Sequence, residues 1–146
     1  MSNSAWVSSS QIKSKPWGHE VTVSNSSNIA AKLLSIRKGK QTSFKYNKVK
    51  FESFACISGK LKVYYSNSNF FDEPECTLKS SILVPGMTLN IQCGCPYRIF
   101  AIEDSQILEI GTNGNDSGIV RILDDYNRET VNEENGEKLK RCMQDL

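Results

Sequence analysis

GKQTSFKYNKVKFESFACISG, residues 39–59, is the stretch on which the reading of this chain turns. Phe51 to Ile57 is apolar and aromatic, the composition of a strand. Ser58-Gly59-Lys60 stops it as a hairpin turn, and Leu61 to Tyr65 follows as the returning strand. On the other side, Arg37-Lys38-Gly39-Lys40 reads as a turn that ends a strand over Ala30 to Arg37. The pattern continues outward in both directions. Val21 and Val23 alternate with Thr22 and Ser24 at a period of two. Ser81 to Val84, Thr88 to Gln92, Tyr97 to Ala101 and Ile107 to Ile110 are short strands, split by Pro85-Gly86, by the turn over residues 94–96 and by a turn over residues 111–115. Ser66 to Pro74 reads as a loop carrying two phenylalanines, and only residues 133–144 have helical character. Short strands with a turn every ~8–12 residues predict an all-β sandwich or barrel.

Length and composition agree. The chain has 146 residues, 38% hydrophobic and 23% charged, which is one globular domain. Lys+Arg 18 against Asp+Glu 16 leaves +2, too little to imply nucleic acid as partner. No apolar run reaches the ~20 residues that span a bilayer, and no basic-then-apolar start resembles a secretory signal, so a cytoplasmic location is expected. A single histidine, His19, excludes a site built from two or three histidines and reads as a surface strand residue. The five cysteines are expected to be free thiols and small apolar strand residues, because the Cys93-Gly94-Cys95 pair has no second pair to complete a zinc site. Lys32 to Lys50 holds seven basic residues and no acidic one, either a solvated strand face or a barrel mouth that attracts an anion.

Two spacings then resemble a known family. Gly39 is followed after five residues by Lys45, then Asn47, then after four residues Glu52, then after six residues Gly59. Gly86 is followed after five residues by Gln92, then Gly94, then Tyr97. These resemble the two cupin motifs, G-x5-H-x-H-x4-E-x6-G and G-x5-P-x-G-x2-H. The flanks resemble one branch of it, the type II mannose-6-phosphate isomerases. KPWGHE at 15–20 is similar to their KPWGxE opening, and DSGIVRILDDYNR at 116–128 to their EDDIVRxxDxYGR ending. The resemblance implies a single-domain cupin, a double-stranded β-helix or jelly-roll barrel, over residues 15–130. A flexible polar arm at 1–14 and a short helical tail at 131–146 flank it. It also implies a homodimer.

The departures from the motif matter as much. The family binds a divalent metal through histidines and one glutamate. The matching positions here are Lys45, Asn47, Glu52 and Tyr97, and only Glu52 is an ordinary ligand. An ammonium repels a metal ion and one carboxylate does not hold it, so neither metal nor other cofactor is expected. Lys45 and Glu52 either form an ion pair in place of the metal or leave Lys45 as an anchor for an anionic, hydroxyl-rich ligand. The aromatics Phe44, Tyr46, Phe51, Phe54, Tyr64 and Tyr65 are expected to pack the core. Arg128, ahead of Arg121, is a candidate phosphate contact, with a salt bridge to Asp124 or Asp125 as the alternative. The expected function is therefore a metal-free, non-catalytic cupin that binds a sugar or sugar phosphate through Lys45, Asn47, Glu52, Tyr97 and Arg128. A residual sugar-phosphate isomerase or epimerase, with Glu52 as base and Lys45 as the charge that holds an oxyanion, is the second reading. A scaffold protein is the third.

Overall fold

The computed structural model describes residues 2–26, 28–75, 77–112 and 118–146. Residues 113–115 of the expected turn, residues 116–117 of the ending motif and the Cys76 thiol lie outside them. Among the described residues eleven strands and one helix follow in order: β1 (Gln11–Lys15), β2 (Gly18–Asn25), β3 (Ile29–Ile36), β4 (Phe44–Asn47), β5 (Glu52–Ser58), β6 (Leu61–Tyr65), β7 (Lys79–Leu83), β8 (Thr88–Ile91), β9 (Tyr97–Ala101), β10 (Ser105–Thr112), β11 (Ile119–Leu123) and α1 (Glu133–Met143). They form two antiparallel sheets, β1-β2-β3-β10-β5-β8 and β11-β4-β9-β6-β7. This is a cupin-like β-sandwich.

The core lies between the sheets. Leu34, Ile36, Phe54, Leu61, Val63, Ile91, Ile99 and Ile107 are all at most 4% exposed and pack as one cluster. They are every second residue of their strands, so the pleat sends them to one face. All four glycines of the two motifs, Gly39, Gly59, Gly86 and Gly94, take positive φ. Gly59 shows why no other residue serves. At φ 87° a Cβ there would stand 2.4 Å from the Asp104 carbonyl oxygen. Gly18 serves close approach instead, since a Cβ on it would meet the Ser35 carbonyl oxygen at 1.9 Å.

Several expectations need correction. Residues 11–14 of the expected arm are not loose, because Gln11–Lys15 pairs with β2 as an edge strand. Phe51 does not join the core; it is 40% exposed, while Phe44 and Phe54 are buried. Among the described cysteines only Cys56 is a buried strand residue; Cys93 and Cys95 sit at the turn between β8 and β9, and Cys142 lies in α1. Cys56, Cys93 and Cys95 are free thiols, but Cys142 is disulfide-bonded.

The loop at 66–74 has a structural task. Phe70 is fully buried and packs with Leu78, Ile122, Leu139 and Cys142 in a second cluster beneath α1. The Lys138 ammonium donates to the carbonyls of Phe70 and Glu73, which ties the helix to that loop. Asn132 caps the helix by accepting from the Asn135 amide, with Glu133 and Glu134 in the first turn and Lys140 and Arg141 in the last.

Candidate functional site

The register of the strands sets the site. Across the five-stranded sheet, Arg121 of β11 faces Lys45 of β4, Lys45 faces Tyr97 of β9, and Tyr97 faces Tyr65 of β6. Across the six-stranded sheet, Lys32 of β3 faces Glu109 of β10, and Glu109 faces Phe54 of β5. One row further along, Glu52 faces Gly111. The inward ends of these rows enclose a cavity of about 270 Å³. That is just below the ~300–1,000 Å³ typical of ligand pockets.

Lys45, Asn47, Glu52, Tyr97 and Arg128, the five residues singled out from the sequence, all line this cavity. Three are held by the protein itself. The Tyr97 hydroxyl donates to Glu52 Oε1 at 3.3 Å, and its ring packs on Phe54 at 5.0 Å. Asn47 Oδ1 accepts from the amides of Val49 and Lys50 at 2.9 and 3.0 Å, so its carbonyl side shapes the β4–β5 turn. Arg128 spends its fork on Asp124, with Nη2 and Nε at 2.8 and 3.1 Å from Oδ1, and stacks on Tyr126 at 5.5 Å. Burial alone would push the Asp124 carboxyl up, but the hydrogen bonds from Arg128 outweigh it and hold the carboxyl low.

Glu109 was missed in the sequence. It lines the cavity with Glu52 and Lys45, where the barrel wall shields it from bulk water. Burial and then the Glu52 carboxylate push it up to about 7, against the pull of Lys45, Lys32 and Lys50. The Lys45 ammonium is lowered from its ordinary value, first by burial. Glu109 and then Glu52 oppose that shift, and Arg121 and Arg128 add to it. The strongest charge partner of Lys45 is thus Glu109, with Glu52 second. At the mouth, Glu20 lies 3.6 Å from both Lys15 and Lys32.

A divalent metal does not fit this donor set. An ammonium occupies one motif position, the Asn47 oxygen already accepts two amides, and the Tyr97 hydroxyl donates toward Glu52. No group of three His, Cys, Asp or Glu suited to a metal occurs among the described residues. Charge favours an anion instead. Lys13, Lys15, Lys32, Lys45, Arg121 and Arg128, six basic residues, line the cavity against three acidic ones, Glu20, Glu52 and Glu109.

No family model and no curated protein matches the sequence. Solved structures do match the fold. KdgF from Halomonas sp. superposes with a TM-score of 0.61 at 14% identity, over 75% of this chain and 91% of that one. An oxalate decarboxylase from Bacillus subtilis gives 0.65 at 16%, over 77% of this chain and 30% of that one. CapF, solved with the inhibitor 3-isopropenyl-tropolone, gives 0.63 at 12%, over 80% of this chain and 34% of that one. The chain thus spans nearly all of KdgF and about a third of the other two. At these identities the likeness establishes the cupin fold and nothing about chemistry.

Proposed function

We propose that this chain is a metal-free cupin, built on the pattern of the type II mannose-6-phosphate isomerases, that binds a sugar or sugar phosphate in its barrel without turning it over. The observation that carries the reading is the cavity itself. It keeps the position of the motif residues, replaces their metal chemistry with charged side chains, and presents six basic residues to three acidic ones. Its volume suits a monosaccharide-sized anion. The purified protein is expected to carry far less than one zinc, manganese or iron per chain after dialysis; elemental analysis near one equivalent would overturn this point.

One observation favours a second reading, a residual sugar-phosphate isomerase or epimerase. A carboxyl near neutrality beside a second carboxyl and an ammonium suits proton transfer at a carbon next to a carbonyl. Assay of mannose 6-phosphate conversion, with and without added manganese or zinc, separates the two readings. Turnover above the rate of a Glu109→Gln variant would favour the enzyme.

A homodimer belongs to the proposal. Among the described residues nothing pairs with the outer side of β1, and Ile12, Leu33 and Ile110 on the outer face of the same sheet are at least 40% exposed. Light scattering reads the mass directly. A cytoplasmic location is also part of the reading. The free thiols of Cys56, Cys93 and Cys95 support it, and the disulfide at Cys142 stands against it. No helix among the described residues is long and apolar enough to cross a membrane.

A further inference from the structure

The cations of the cavity are not equivalent. Lys15 and Lys32 share Glu20 at 3.6 Å, and Arg128 is closed onto Asp124 at 2.8 Å. Arg121 differs. Its Nε is buried and has no hydrogen-bond partner among the described residues. A buried N–H of a guanidinium without an acceptor is unfavourable, because its water has been stripped and nothing has replaced it.

Its position sharpens the point. The β4–β11 register sets Arg121 directly across from Lys45 on the sheet. Like charges placed opposite each other on neighbouring strands destabilise a sheet. The strand breaks register just beyond, between Arg121 and Leu123, which fixes where Arg121 stands in the row. A chain that holds two cations side by side, one with an unfilled donor, is complementary to an oxyanion lying between them. A guanidinium fork also matches the spacing of two phosphate or carboxylate oxygens.

We infer that Arg121 is the anion anchor of the cavity, and that the phosphate or carboxylate of the ligand lies between its guanidinium and the Lys45 ammonium. This rests on the anionic-ligand reading above and deepens it by naming the group that is held and the residue that holds it. The uncharged part of the ligand then extends toward Glu52 and Glu109.

The test is calorimetric titration of four probes into the parent protein: inorganic phosphate, mannose 6-phosphate, mannuronate and mannose. The same titrations are run on Arg121→Gln, Arg121→Lys, Arg128→Gln and Lys79→Gln, with thermal melts to confirm folding. Arg121→Gln is expected to weaken the anionic probes by about tenfold or more. Arg121→Lys keeps the charge and loses the fork, so it is expected to lose roughly threefold to tenfold, which guards against a Gln variant that fails to fold. Lys79→Gln makes the same change in net charge outside the cavity and is expected to stay within about twofold. Mannose 6-phosphate ahead of mannuronate identifies a phosphate ligand, and the reverse order a carboxylate. Parent-level binding by Arg121→Gln, or a loss that follows Arg128→Gln instead, overturns the inference and leaves the sugar-phosphate reading intact. Inorganic phosphate held through Arg121 with no binding of mannose 6-phosphate keeps the anchor and removes that reading. No anion binding by the parent removes both.

Discussion

At pH 8 the Glu109→Gln variant is expected to be more stable than the parent, by about 2 kcal/mol, and at pH 5 the gain is expected to shrink to under about 1 kcal/mol. Glu109 titrates near 7 in the folded chain, raised mainly by burial and by the Glu52 carboxylate. In the unfolded chain it has its ordinary carboxylate value. The sign follows from proton counting. Between the two values the folded state holds the proton and the unfolded state has lost it, so stability falls as pH rises through that window. Below the ordinary value both states are protonated and the group has no effect. Glutamine mimics the protonated acid at every pH and removes the fall. The full shift corresponds to roughly 3 kcal/mol. The pull of Lys45 is already contained in that shift; the gain is set lower because a glutamine amide does not reproduce every hydrogen bond of the protonated acid. Urea denaturation of both proteins at pH 5, 6, 7 and 8 measures the difference. Parallel curves, or a parent that is the more stable at pH 8, would mean that Glu109 is not held as a shielded carboxyl.

Lys45→Met should show the opposite pH dependence. Methionine keeps most of the side-chain volume and removes the charge. Above pH 7 it leaves Glu52 and Glu109 facing each other with one cation fewer, and the expected loss is on the order of 2–3 kcal/mol. Lys32 and Lys50, which also act on Glu109, retain part of the compensation and keep the loss below that of an isolated buried charge. Near pH 5 Glu109 is protonated and the loss should shrink. Lys45→Met should also move the midpoint of Glu109 upward, since Lys45 is one of the groups holding it down. Combining Lys45→Met with Glu52→Gln removes one carboxylate and should recover much of the stability, a non-additivity that a double-mutant cycle reads directly. Simple additivity of the two substitutions would show that the charges do not form one network.

Much of the fold was legible because its turns are written in glycine. Gly39, Gly59, Gly86 and Gly94 each need a positive φ, so the intervals between them survive even where the residues between have changed. Leu61–Tyr65 and Tyr97–Ala101 were read with their observed bounds, since apolar composition and flanking turns agreed. Where the polarity rule inverts, the reading failed. In β1 the alternation is weak because Lys13 and Lys15 point to the cavity while Ile12, 76% exposed, points outward. That made residues 11–14 look like a polar arm. β10 hides Glu109 in the same way. Leu108 and Ile110 look like the buried face, yet the inward face is Ile107, Glu109 and Gly111. A period-two reading continued from Ile107 would have placed Glu109 beside Glu52. The spacing of the motifs brought Lys45, Asn47, Glu52 and Tyr97 together on one cavity. It carried no information on the loop that occupies Asn47, because that depends on side-chain geometry within a short turn, whereas the closure of Arg128 onto Asp124 is the alternative the sequence itself offered.

The central claim, a barrel that binds an anionic sugar with no metal, is tested most directly by titrating mannose 6-phosphate into the protein before and after exhaustive treatment with a chelator. The account predicts saturable binding with the same affinity in both samples, weakened by raised salt and by Lys45→Met about tenfold. Heat that appears only when manganese or zinc is restored, or equal heat from mannose lacking the phosphate, would contradict it.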